Sequence, residues 1–124
     1  MKENQKLKDN KKFSKDLEKR TLDFAIKTIY LSSKIPRTPE GNVVRNQMTK
    51  SGTSIGANYR EANRARGRAD FKNKIIICES EASETQYWIE IVTAFKWQTE
   101  KVLDTHYKEC SELLAIFTSI SNKL

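Results

Sequence analysis

Residues 51–88 read SGTSIGANYREANRARGRADFKNKIIICESEASETQYW, and this stretch decides the fold. Phe71, Ile75, Cys78, Ala82, Thr85, Ile89 and Val92 recur in alternating steps of four and three, which keeps them on one face of a helix. Ahead of that helix, Arg60, Arg64, Arg66 and Arg68 gather around Gly67, a residue suited to a left-handed helix cap. Ahead of the arginines lie the small residues Gly52, Thr53, Ser54, Gly56 and Ala57. A phosphate-binding loop would need a GxxxxGK[ST] pattern after a strand, and neither is present. A helix face stripped of bulk, open to close approach by another helix, accounts for the small residues better, with a local kink allowed. The stretch reads as an antiparallel helical hairpin with a basic tip.

Working outward, Thr38-Pro39-Glu40 announces the first hairpin helix: Thr38 can cap, Pro39 fits the first position and Glu40 suits the positive dipole end. Its buried stripe is Val44, Met48, Ser51, Ile55, Tyr59 and Ala62. Asp70 is expected to cap the second. Upstream, a helix should start at Ser14, bury Leu17, Thr21, Phe24, Thr28 and Leu31, and stop before Pro36. Ile26, Ile29 and Tyr30 are expected to widen its stripe. Downstream, a helix from Asp104 or Thr105 should bury Tyr107, Cys110, Leu114 and Phe117. The predicted helices are 14–34, 39–65, 70–97 and 104–123. Short connections between four amphipathic helices imply an all-α, up-down-up-down antiparallel four-helix bundle. Residues 1–12, rich in Lys and Asn, are expected to form a flexible basic tail, and 13–124 the bundle domain.

A chain of 124 residues suits one domain with a real core. No apolar run approaches the roughly 18 residues of a membrane span, and no apolar segment follows the charged N-terminus, so the cytoplasm is expected. Cys78 and Cys110 sit in apolar helical patterns and read as buried thiols, without CxxC or Cys/His spacing for a metal. His106, the only histidine, is expected on the surface near a helix start, which leaves no material for a Ser-His-Asp arrangement. Carboxylate pairs such as Glu81 and Glu84 are ordinary on helical surfaces. No enzyme, metal or cofactor is therefore expected. Charge is uneven: residues 1–70 carry 17 Lys and Arg against 8 Asp and Glu, whereas 71–124 carry 6 against 8. Such a basic half favours phosphate-bearing partners or an acidic protein surface, although it also suits a merely solvated face.

SGTSIGAN at Ser51–Asn58, REA at Arg60–Ala62, RADF at Arg68–Phe71 and ETQYWIE at Glu84–Glu90 closely resemble the core signature of the bacterial 23S ribosomal RNA intervening-sequence proteins. That group, also called four-helix-bundle proteins, includes accessory proteins of diversity-generating retroelements. The commonest family form has Ser-Ile-Pro where this chain has Ser54-Ile55-Gly56, so a proline-imposed kink is not carried over. Glu61 matches the family's acidic position, with packing or hydrogen bonding in the bundle its expected role. The resemblance implies a small bundle forming ring-like homopentamers. In the retroelement branch it implies binding to nucleic acid and to a reverse transcriptase.

The expected function is that of a non-catalytic, homo-oligomeric accessory protein binding RNA or DNA. Arg60, Arg64, Arg66, Arg68 and Lys72 are the candidate contacts; Arg60 and Arg64 share a helical face. Alternatively these arginines pair with Glu79, Glu81 or Glu84, within the hairpin or across a subunit boundary; the runner-up function is a scaffold whose basic face docks an acidic protein. Ile76, Ile77, Trp88 and Ile91 lie outside the heptad stripe, more apolar surface than one neighbour covers. Ile77, Trp88 and Ile91 are the candidate oligomer interface.

Overall fold

The computed structural model describes residues 2–124. Helix α1 spans Lys2–Ser33, α2 Pro39–Asn63, α3 Arg68–Ala94 and α4 Glu100–Asn122. The longest connections, 34–38 and 95–99, extend about 18 Å at most. The 25 residues of α2 cover about 37 Å. No connection can run back along a helix, so successive helices are antiparallel. Each packs on its sequence neighbours and α4 returns to α1, a contact looser than the other three, while the diagonal pairs do not approach at the backbone and meet only through core side chains such as Tyr59 and Phe117. The result is the four-helix bundle the periodicity implies.

The heptad positions of α3 from Ile75 to Val92 are buried, as are all six expected on α2 and all five on α1. Gly52 and Gly56 explain the small-residue face: a Cβ on Gly52 would lie 2.6 Å from Thr28 Cγ2, and one on Gly56 2.9 Å from Thr21 Oγ1. Both threonines bond back to their own helix, Thr21 Oγ1 to Leu17 O at 2.9 Å and Thr28 Oγ1 to Phe24 O at 2.8 Å. Their hydroxyls are thereby satisfied inside an apolar contact. Helix α2 runs through both glycines without interruption. Thr38 caps it, accepting from Gly41 N at 3.0 Å.

Several expectations are corrected. Helix α1 begins at Lys2, well ahead of Ser14, because Lys, Glu, Gln and Leu favour helix and nothing before Pro36 interrupts it. Residues 2–13 are exposed, and Met1 lies outside the described residues. Ile26, Ile29 and Tyr30 point outward, 45%, 48% and 68% exposed, rather than widening the core stripe. Gly67 is an extended N-cap for α3 (φ −159°), not a left-handed C-cap; Asp70 falls in the first turn, where it still suits the dipole. Helix α4 starts at Glu100, a turn earlier than expected, because Leu103 and His106 extend its buried stripe. That stripe continues through Cys110, Leu113 and Phe117, leaving Tyr107 and Leu114 partly buried. The left-handed residue is Lys96 (φ 54°): its N–H reaches Thr93 O and that of Trp97 reaches Val92 O, both at 3.1 Å, closing α3 with paired capping bonds.

His106 is buried, not on the surface. Its ring stacks on Phe24 at 4.1 Å between centroids, and Nε2 lies 2.8 Å from Thr28 Oγ1. With the Thr28 hydroxyl hydrogen directed to Phe24 O, Nε2 is the donor of this pair, and Nδ1 is buried without a partner among the described residues, an arrangement that suits the neutral ring protonated on Nε2. Burial, aided by Lys27, lowers its pKa to about 4. Below the ordinary value of about 6.5 the unfolded chain takes up a proton that the folded chain refuses. Stability therefore falls with pH until about 4, where the folded imidazole also protonates.

Two measurements check this packing. In urea melts, Gly52→Val should cost about 1–3 kcal/mol by overpacking, whereas Gly67→Ala, with nothing within 4 Å of its added Cβ, should stay within about 0.5 kcal/mol. Melts between pH 7 and pH 4 should show a loss of about 3 kcal/mol in the parent that is absent in His106→Leu.

Candidate nucleic-acid interface

The antiparallel order brings the C-terminus of α2, the N-terminus of α3 and the C-terminus of α4 to one end of the bundle. Helix α1 passes this end at Glu18, whose carboxylate accepts from Asn63 Nδ2 at 2.8 Å and lies 3.8 Å from Arg60 Nε. Arg68 donates to Leu124 O at 3.1 Å, tying the α3 start to the end of α4. Lys74 donates to Glu61 at 3.1 Å, an exposed hydrogen bond that joins α2 to α3. The turn between α2 and α3 stands at the centre of this end.

All five sequence-selected cationic residues, Arg60, Arg64, Arg66, Arg68 and Lys72, are exposed here. None pairs with Glu79, Glu81 or Glu84. Thr118 takes Glu79 (3.1 Å) and Trp88 Nε1 takes Glu84 (3.1 Å). Among the described residues, the side chains of Arg64, Arg66 and Lys72 have no hydrogen-bond or ion-pair partner. Exposed guanidinium groups on a rigid turn suit bidentate contact with phosphate oxygens.

The candidate interface residues divide. Ile77 is 38% exposed, whereas Trp88 and Ile91 are partly buried and pack against their own core. The larger apolar surface lies on α1. Leu22, Ile26 and Ile29 face out in steps of four and three, forming with Thr53, Gly56 and Ala57 an apolar groove of about 310 Å³. These residues repeat on the side of α1 opposite its core stripe, a second period within one segment that a single-stripe reading absorbs into the core.

Elsewhere the chemistry is occupied. A cleft of about 440 Å³ between α1 and α4 is lined by Arg20, Asp23, Lys27, His106, Glu109 and Glu112. Arg20 already clamps its carboxylates, with two bonds of 2.7 Å to Glu109 and a 3.3 Å approach to Glu112. Cys78 and Cys110 are buried, their thiols pushed up to about 12 by burial, which keeps them protonated and inert. Among the described residues no group of three His, Cys, Asp or Glu is placed to hold a metal ion, and no helix is long and apolar enough to cross a membrane.

No curated protein matches the chain. A crystal structure of a protein of unknown function from the S23 ribosomal protein family of Bacteroides thetaiotaomicron is similar to it. The two share 35% identity over 84% of this chain and 96% of that one, with a TM-score of 0.78. The sequence also matches the family described as 23S rRNA-intervening sequence protein over residues 14–119, the whole bundle apart from the first turns of α1 and the end of α4. With the bundle geometry and its basic end in agreement, the chain belongs to the 23S rRNA-intervening sequence protein family.

Proposed function

We propose that this chain is a non-catalytic, homo-oligomeric accessory protein of the cytoplasm that binds RNA or DNA through its basic end. One observation carries the reading. Arg64, Arg66 and Lys72 are exposed without an intramolecular partner, beside Arg60 and Arg68, on a turn held between two rigid helices. No base-reading motif accompanies them, so contact is to phosphates and sequence selectivity is weak. In the retroelement setting that the family resemblance implies, such a surface would present nucleic acid to a reverse transcriptase.

Charge and apolar surface support self-association. The outward face of α1 belongs to the basic half of the chain and exposes Leu22, Ile26 and Ile29. The outward face of α3 belongs to the acidic half and exposes Ile76, Ile77 and Tyr87. Two different, complementary faces favour a head-to-tail contact, the type that closes into rings. The number five comes from the family resemblance alone. Repetition of the tip around a ring turns weak phosphate contacts into avidity. The apolar groove between α1 and α2 favours a second reading, a scaffold that docks a protein and leaves nucleic acid alone.

Binding to RNA or DNA should be measurable at low salt and fall steeply as salt rises, with each phosphate contact adding about 0.9 to the slope on duplex and about 0.7 on single strands. Replacing Arg64, Arg66 and Arg68 together with Gln should weaken binding to every sequence while helix content and oligomer mass stay unchanged. A parent that binds nothing at low salt would favour the scaffold. By light scattering at micromolar concentration, the parent should have five times the 14.4 kDa protomer mass. Ile26→Glu or Ile77→Glu should each lower it. A 14.4 kDa parent would contradict self-association.

A further inference from the structure

The cations of the tip are not equally free. Helix α1 reaches this end through Glu18, while its N-terminal arm, residues 2–13, is exposed. The Glu18 carboxylate serves two α2 side chains at once. Its Oε2 accepts from Asn63 Nδ2 at 2.8 Å, and its Oε1 lies 3.8 Å from Arg60 Nε. Arg60 therefore has a counter-charge beside it, whereas Arg64, Arg66 and Lys72 have none among the described residues. The tip divides into a cationic part that suits phosphates and a nearly neutral part formed by Arg60, Asn63 and Glu18. A carboxylate in that second part repels a phosphate and tolerates an uncharged base.

Glu18 also decides which way the Asn63 carboxamide faces. An ionised carboxylate only accepts hydrogen bonds, so it meets the amide nitrogen and not the amide oxygen. The opposite orientation would set two acceptors against each other at 2.8 Å. The buried Tyr59 hydroxyl draws the nitrogen the same way. Burial raises the Tyr59 pKa, and the Ser14 and Asn63 side chains oppose that rise as donors to its oxygen. Asn63 Oδ1 is left over. It receives no hydrogen bond among the described residues, on an exposed side chain one residue before Arg64. This oxygen takes no part in holding the helices together. It is a lone acceptor, fixed in orientation beside free cations.

We infer that Asn63, oriented by Glu18, reads a base: Oδ1 accepts from the exocyclic amino group of an unpaired base and favours cytosine over uracil. The inference rests on the nucleic-acid reading of the tip and deepens it. Phosphates held on Arg64 and Arg66 leave the nearly neutral part, one residue away, to a base. Cytosine N4 carries a hydrogen on its C5 side, where no other acceptor competes with Oδ1. Uracil has the acceptor O4 in that place. Its imide N–H lies between two carbonyl oxygens, both of which repel a lone acceptor. Glu18 touches no base in this arrangement and acts as a positioning residue. The selectivity stays weak, because one hydrogen bond is added to a contact dominated by phosphates.

The test titrates the full-length protein with oligocytidylate and oligouridylate of equal length, over a range of salt. The parent should bind oligocytidylate about 2- to 10-fold more tightly, the worth of one hydrogen bond. The salt slope should be the same for both, because the phosphates are the same. Asn63→Ala should remove the preference by weakening the cytidylate alone. Glu18→Gln should reduce the preference too, because glutamine donates as well as accepts and no longer fixes the amide. It should also raise affinity for both strands, since Arg60 loses its counter-charge. Neither side chain belongs to the core, so helix content of the variants should match the parent. A parent that binds both strands equally, or prefers oligouridylate, overturns the inference and leaves the tip reading standing. So does an Asn63→Ala protein that keeps the parent's ratio, or a Glu18→Gln protein that gains affinity with the ratio unchanged. A parent that binds neither strand overturns base reading and tip together.

Discussion

The close approach of α1 to α2 at Gly52 and Gly56 is the contact on which the rest depends. Thr28 and Thr21 occupy the space that side chains would fill, and their hydroxyls turn back into α1, so nothing polar is stranded in the contact. The same Thr28 oxygen receives His106 from α4, so the α1–α2 contact and the closing α1–α4 contact share one residue. A buried, neutral imidazole stacked on Phe24 fills the looser seam. On the solvent side of that seam, Arg20 bridges to Glu109 and Glu112. Being partly exposed, this pair aligns the helices more than it stabilises them.

That packing decides where the charges go. With α1 held against α2, Glu18 lies beside Arg60 and Asn63, and the arm leaves the bundle at the end that presents the α2–α3 turn. The chain's excess of positive charge is concentrated in its first 70 residues. The fold converts this difference along the sequence into a difference in space, a basic end and a basic α1–α2 side set against the more acidic α3–α4 side. A helical surface can act through such a charge distribution alone, because phosphate contacts need only position and charge.

Much of this was legible in the residues themselves. The four-three steps from Ile75 to Val92 identified the buried face of α3, and the small residues between Ser51 and Ala57 announced a close helix contact. Both signals work because burial imposes a period on the sequence. What was missed falls where burial gives no signal or a double one. The arm has nothing to bury, so its helix rests on the propensity of Lys, Glu, Gln and Leu alone. Helix α1 has two apolar faces, and a single-stripe reading merges Ile26, Ile29 and Tyr30 of the outer one with the core stripe. A histidine surrounded by Thr105, Tyr107 and Lys108 looks solvated in the sequence, while the partner of His106, Thr28, lies 78 residues away. The family-like motifs brought out the arginine tip, but Arg64 and Arg66 could be separated from ordinary ion pairs only once their surroundings were known.

Amide chemical-shift mapping of the full-length protein during titration with a short oligouridylate reports every surface at once and so locates any nucleic-acid contact. Shifts should concentrate in residues 60–72, with the α3–α4 face from Glu79 to Glu112 little changed. Shifts centred on that acidic face, or confined to the apolar groove around Leu22 and Ile26, would contradict binding through the basic end.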